Sequence, residues 1–332
     1  MKVLFVFSGN SRVFAISPII QAQAESLRKL EHIIDYFPVK GKGFGGYLSN
    51  VPKLYKCIKQ GDYDLIHSHY SYCGVASALA TKKPVVCSLM GSDVQESGLW
   101  KIIIRFFIKH KWRKTIVKSE GMKTELGIDT VEVIPNGVDL ELFKPMEKKD
   151  CRKVLGWDMN KKIILFASNP ERPEKNFSVA RQAINNLDFA DLELQIIYNK
   201  PHKDIPVYLN AADLLLSTSL WEGSPNVIKE AMACNCPIVS TDVGDVKWLL
   251  DGIEGCYITS NDQNDVADKI KKALDFKGKT RSREKLISLG LDSEHIAKRI
   301  IKIYEVAISK TSGERKERKA GNSIYRRLYN KQ

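Results

Sequence analysis

Residues 222–230, EGSPNVIKE, place two carboxylates, Glu222 and Glu230, around a Gly-Ser-Pro-Asn turn that opens a helix. Pro225 has its φ preset for a first helical position and lacks an N–H that would go unpaired there. The amides that follow, at Asn226 and Val227, then point out of a helix N-terminus, where the macrodipole favours negative charge. The turn Gly223-Ser224-Pro225 and these amides make a seat for a diphosphate. Glu230 lies one turn inside the helix, and Glu222, on the preceding loop, can reach whatever hangs off that diphosphate. Phosphate together with hydroxyl-rich groups is the chemistry of a nucleotide-sugar.

Breaking a bond to a diphosphate needs positive charge to stabilise the leaving group, from a metal, from cations or from helix dipoles. Arg172 and Lys175, in NPERPEKN, are the candidate cations; in any other setting they would read as exposed loop charges. The two glutamates do not resemble a glycosidase acid–base pair, because their surroundings offer phosphate-binding amides and no water-activating constellation. Asp62-Tyr63-Asp64 has the spacing of a metal-binding Asp-x-Asp but precedes a strand, so it is assigned to a loop, and no metal site is expected.

Two α/β layers must position these groups. KVLFVFS (2–8) reads as a buried strand, followed by a turn at Gly9-Asn10 and helical spacing from Ile16 to Leu30, the opening of a Rossmann-like domain. There is no GxGxxG and no P-loop, and GKGFGG (41–46) reads as a flexible loop. Strands follow at 64–67, 84–89, 115–119 and 131–135, then at 162–168, 192–198, 214–219 and 237–241, with helices or loops between them. Such alternation predicts parallel sheets covered on both faces. PNGVD (135–139) and the polar KPMEKKD (144–150) break the pattern. The expected domains are 1–147 and 148–294, with 295–332 a closing helix and basic tail. Ile296, Ile300, Ile303, Tyr304 and Ala307 share one helical stripe. The carboxyl ends of both sheets would meet at a cleft, where open sheets bind ligands. Ser8, Gly9, Asn10 and His69 would border it on the first domain's side, with His67 buried. An isolated histidine is usually structural. Asp93 is a further candidate there, with helix capping as an equal reading.

The chain has 332 residues, 43% hydrophobic and 27% charged, enough for two domains. Seven cysteines without C-x-x-C spacing exclude a disulfide framework or zinc site as the organising feature and suggest a reduced, cytosolic protein. The apolar run in MKVLFVFSGN is too short for a signal-peptide core, and no stretch approaches a membrane span. The net charge of +13 is concentrated in part in WKIIIRFFIKHKWRK (100–114), where Ile104, Ile108 and Trp112 form one stripe and Lys101, Arg105 and Lys109 another. A core-packed helix and a contact with the inner face of an anionic membrane are both consistent with that pattern. The basic tail ERKERKAGNSIYRRLYNKQ reads as a frayed terminus.

The Glu-x7-Glu segment, continuing into EAMACNCPIVSTDVGDV, resembles the donor-site signature of family 4 of the retaining glycosyltransferases, which have two Rossmann domains (the GT-B type). KKPVVCSLMGSDV (82–94), VEVIPNGVDLELFKP (131–145) and FASNPERPEKNF (166–177) resemble further segments of that family in the same order, over about residues 1–260. The resemblance implies a nucleoside diphosphate sugar held by the second domain and an acceptor, a glycan or a lipid-linked one, held by the first. Lys175 and Arg172 would contact the diphosphate. Glu230 would hold the ribose hydroxyls, and Glu222 a hydroxyl of the transferred sugar near the reacting carbon. His69 would contact that sugar or the acceptor. The resemblance also implies retention of anomeric configuration, no cofactor, no metal and no nucleic-acid partner, in polysaccharide or cell-envelope glycan synthesis. Two departures stand out. The commoner family spacing puts an arginine where this chain has Pro170, with Arg172 three residues before Lys175, and the family's His-Gly-Ser-Asp turn is Met90-Gly91-Ser92-Asp93. The alternatives are a nucleotide-sugar epimerase of the same architecture and a basic membrane- or nucleic-acid-binding protein on an inactive transferase scaffold.

Overall fold

The computed structural model describes residues 1–11, 13–95, 98–189 and 191–309; the basic tail lies outside them. Packing divides the chain into two compact units. One comprises Met1–Val117, Leu126–Ile134 and the chain from Ala297; the other comprises Lys118–Glu125 and Pro135–Ile296.

The first unit carries β1 (Lys2–Ser8), β2 (Ile33–Val39), β3 (Leu65–His69), β4 (Val85–Ser88), β5 (Lys114–Val117) and β6 (Glu132–Val133) in the order β2-β1-β3-β4-β5-β6. All pairings are parallel, with Val3 opposite Leu65 and Val6 opposite Ser68 in the central pair. A strand buried on both faces reads as an unbroken apolar run, and Val3 to Phe7 are at most 1% exposed. The second unit is built likewise from β7 (Lys162–Phe166), β8 (Leu192–Ile196), β9 (Leu214–Ser217), β10 (Ile238–Thr241) and β11 (Cys256–Thr259), in the order β11-β10-β9-β7-β8. Its core joins Ile164, Phe166, Leu214, Leu216 and Val239 of the sheet to Phe177, Ala180, Val266 and Ile270 of two covering helices. Two Rossmann-like α/β domains are therefore present, as expected.

The division falls at Ile134/Pro135, earlier than the expected 147/148, and the segment Lys118–Glu125 also belongs to the second unit. The reason lies in side chains of the second unit that bind this stretch's carbonyls. Arg283 donates to the carbonyls of Leu140 and Phe143, and Asn210 donates to that of Lys144. The polar stretch after PNGVD is thus bound into the second unit and is no linker.

The closing helix spans residues 293–309. Its Tyr304 is fully buried with its hydroxyl 2.6 Å from Nδ1 of His67 on β3, and Arg299 donates to the carbonyl of Val133 at 2.6 Å. Of residues 41–46, expected as a flexible loop, those from Gly43 belong to a short helix (Gly43–Leu48). Gly41 makes that possible: a Cβ there would meet the carbonyl oxygen of Gly46 at 2.6 Å, and its φ is +142°. Among the described residues no helix is long and apolar enough to cross a membrane.

Candidate active site

In the second unit, the loop after β9 runs through Glu222 into the Asn226–Ala233 helix. Pro225 is the residue before the first helical turn (φ −69°, ψ 118°), and Asn226 opens the helix. No side chain caps that helix, which leaves its opening to an anion. Lys175 forms an ion pair with Glu222, whose same oxygen accepts from the hydroxyl of Ser219 at 2.9 Å. Both side chains are largely shielded, at 13% and 19% exposure. Thr218 donates to the carbonyls of Lys175 and Asn176 (3.0 and 3.1 Å), and the amide of Leu220 donates to the carbonyl of Glu174. The 172–177 loop and the 217–222 loop are thereby stitched into one surface.

Arg172 differs from Lys175. Its guanidinium is turned to Glu174, with Nε donating to Oε1 at 2.7 Å, and its side chain is 55% exposed. Glu230 lies one turn inside the helix, where its carboxylate is 2.8 Å from Nε2 of His202. That histidine ring packs against Phe143 at a tilt, with ring centroids 5.1 Å apart. Asn226 accepts from Asn136 at 3.2 Å. Neither His202 nor Asn136 was singled out in the sequence, although the Asn in PNGVD and the lone His in PHKD are polar breaks at loop positions.

Ser224 does not offer its hydroxyl to a ligand. It donates to Oδ2 of Asp245 at 2.7 Å and accepts from Nζ of Lys229 at 2.8 Å. A lysine on a helix leans back toward the N-terminus, which brings the ammonium of Lys229 beneath the turn it follows. Lys229 is fully buried and Asp245 is 8% exposed. Desolvation pulls the lysine below its ordinary pKa and pushes the aspartate above its own, with the attraction between them opposing both shifts. Oδ1 of Asp245 has no protein partner. The loop carrying Asp245 also presses against the turn directly: Gly244 has φ +61°, and a Cβ there would meet the carbonyl oxygen of Gly223 at 2.6 Å. Thr241 donates to the carbonyl of Ser219 at 2.6 Å. The turn is held from beneath and from one side, so only its main chain and the uncapped helix start remain to bind.

In the first unit, Ser8, Gly9 and Asn10 lie at the carboxyl end of β1 as expected. The hydroxyl of Ser8 accepts from Tyr47 at 2.7 Å, and Asn10 exchanges two hydrogen bonds with the backbone of Gly41. His69 is within β3 and 2% exposed, with its ring 4.6 Å from that of Phe5 and 4.3 Å from that of His67. Both histidines are buried, so a contact of His69 with a sugar is not what this arrangement offers. Asp93 is fully buried and accepts from the amides of Ser71 (2.7 Å) and Met90 (2.6 Å). It clamps the start of the Ser71–Ala80 helix to the turn after β4, which favours the structural reading over the acceptor one. Asp62 and Asp64 lie between a helix end and β3, and Asp64 accepts from the amide of Lys2. Among the described residues no group of three or more His, Cys, Asp or Glu is gathered to hold a metal.

A description of Glycosyltransferase Family 4 matches residues 10–142, and one of Glycosyl transferases group 1 matches residues 180–275. The chain is 26% identical over 306 residues to the UDP-Gal:alpha-D-GlcNAc-diphosphoundecaprenol alpha-1,3-galactosyltransferase of Escherichia coli, covering 79% of each. It is 28% identical over 337 residues to the phosphatidylinositol N-acetylglucosaminyltransferase GPI3 subunit of Saccharomyces cerevisiae, covering 87% of this chain and 73% of that one. Among solved structures, sucrose-phosphate synthase from Thermosynechococcus elongatus superposes with a TM-score of 0.80 at 16% identity, over 93% and 99% of the two chains. HepE of Anabaena, solved with UDP and glucose, gives 0.74 at 18% identity, over 91% and 98%. The fold is the GT-B type, and the protein is a glycosyltransferase. The matches in both halves of its sequence support a glycosyltransferase of the family 4 type.

Proposed function

We propose that the protein is a retaining, metal-independent glycosyltransferase that moves a sugar from a nucleoside diphosphate donor to a lipid-linked or glycan acceptor in polysaccharide or cell-envelope synthesis. The observation that carries this reading is the Lys175–Glu222 pair set beside an uncapped helix start. An ammonium and helix amides together supply the positive charge that a leaving diphosphate needs. Glu222 already accepts from Lys175 and Ser219 through one oxygen, so it binds a hydroxyl better than it abstracts a proton. The departing phosphate oxygen takes the acceptor's proton on the face it leaves, which gives retention. Glu230 holds the ribose hydroxyls, with His202 fixing its carboxylate.

UDP-sugars are the first donors to try, since the Escherichia coli relative is named for UDP-Gal and HepE was solved with UDP. The names of both relatives include a lipid-borne acceptor, and the exposed Leu99–His110 helix is the element we assign to a peripheral membrane contact. Transfer of radiolabelled sugar from a UDP-sugar panel to a membrane extract tests the reading. Glu222→Ala and Lys175→Ala should each lower transfer by roughly 10²–10³-fold. Unchanged transfer by both variants refutes the assigned site.

A further inference from the structure

Ring side chains gather at one end of the first unit's sheet. Tyr72, at the start of the Ser71–Ala80 helix, lies 4.2 Å from Trp100, at the start of the Leu99–His110 helix. Phe44 lies 5.3 Å from Trp100 and is 41% exposed. Tyr47 and Tyr70 extend the cluster, 5.2 and 5.3 Å from Tyr72. Two polar ends in this group are engaged within the protein: Tyr47 donates to Ser8, and Trp100 donates to Ser71 at 3.2 Å. Phe44 and Trp100 thus present ring face. Tyr70 holds φ +94° and ψ 142° at the end of β3, a strained conformation for a residue with a β-carbon and one concentrated at ligand sites.

The Leu99–His110 helix carries more apolar surface than its core contact uses. Ile104, Phe107 and Ile108 are buried, yet Leu99, Ile102 and Phe106 are 72%, 65% and 49% exposed. At about 100° per residue these three fall on one stripe, and half-buried Ile103 sits between that stripe and Trp100. Scattered exposed apolar residues are ordinary; a stripe continuous with an aromatic cluster is a binding surface. Exposed Lys109 and Lys111 stand on and just beyond the same helix, complementary to a phosphate.

We infer that rings and stripe together form one site for an amphiphilic acceptor, a glycan joined to a lipid chain through phosphate. The sugar's C–H face packs on Phe44, Tyr72 and Trp100, and the chain follows Ile103, Leu99, Ile102 and Phe106. This rests on the glycosyltransferase reading and narrows its acceptor to the lipid-linked class.

Saturation-transfer NMR on the full chain tests it with methyl and octyl β-glucosides and β-N-acetylglucosaminides, below the micelle threshold. At least one octyl glycoside should give signals from both sugar and chain protons and bind more than about tenfold better than its methyl counterpart. Phe44→Ala and Trp100→Ala should each abolish the sugar signals. Leu99→Ser/Ile102→Ser/Phe106→Ser should abolish the chain signals. Saturation confined to chain protons, equal competition by octylphosphocholine, wild-type sugar signals in both ring variants, or no binding by any octyl glycoside overturns the inference. A UDP thermal shift in each variant separates the outcomes. Its retention shows a folded protein with the donor site intact, whereas its absence in the wild-type protein counts against the donor reading and not against this surface.

Discussion

Replacing Lys229 by methionine removes a buried ammonium while keeping nearly the same volume, so the cavity term is small. The loss is electrostatic. Asp245, 8% exposed, would keep its carboxylate beside Ser224 with no counter-charge. Removing one partner of a buried ion pair costs about 3–5 kcal/mol. Here the Ser224 hydroxyl stands between the charges at 2.8 and 2.7 Å and remains as a donor, so the lower figure applies, about 3 kcal/mol. For a unit of this size that lowers the melting temperature by about 6–12 °C. Asp245→Asn should cost a similar amount by stranding the lysine. The double variant, which buries no charge, should lose only about 1 kcal/mol, a coupling of about 5 kcal/mol. Thermal melts, with hydrogen exchange of the Asn226–Ala233 helix to localise the change, measure all four corners of the cycle. The sign with pH is fixed as well. Asp245 holds its proton above the ordinary value of 3.8, so the folded state binds more protons than the unfolded one just above that value. This group's contribution therefore falls as pH rises through the window. The penalty of Lys229→Met, which raises Asp245 further, should shrink on acidification toward pH 4. Additive single variants, or a Lys229→Met cost below about 1 kcal/mol, would show that the three groups do not act as one network.

Gly244→Ala should weaken UDP binding about tenfold or more, read by titration calorimetry, because the new Cβ would meet the Gly223 carbonyl at 2.6 Å and displace the turn. Tyr304→Phe should cost about 1–3 kcal/mol by removing the hydroxyl that bonds Nδ1 of buried His67, visible as faster exchange in β3 and residues 293–309. Asp265 accepts from the amide of Ser260, and that bond above all holds its pKa down to about 2. Its stabilisation is present above the ordinary aspartate value and lost as pH falls toward 2, so Asp265→Asn should flatten the acid limb of the stability profile.

The strands that a sequence reader finds here are the doubly covered ones, such as KVLFVFS and KIILF, where burial on both faces leaves an unbroken apolar run. The edge strands β2 and β11 escaped. IIDYFPV carries Asp35 and Pro38, and CYIT is four residues long. The Glu-x7-Glu spacing was legible because helix geometry fixes it locally. What Ser224 does was not, since its partner Asp245 is 21 residues away. The same holds for Glu230, paired with His202 from 28 residues upstream. For the Leu99–His110 helix the periodicity identified Ile104 and Ile108 as a core stripe but missed the second, exposed one. Trp112, counted in that stripe, is buried past the helix end.

The route of the chain through its two units bears on synthesis. The first unit lacks the hydroxyl that bonds Nδ1 of His67 until Tyr304 has left the ribosome, about 170 residues after Ile134. At roughly 5–20 residues per second that is a wait of about 10–30 s. The later-made unit can finish first, and the nascent N-terminal sheet meanwhile keeps an apolar face that a chaperone would find.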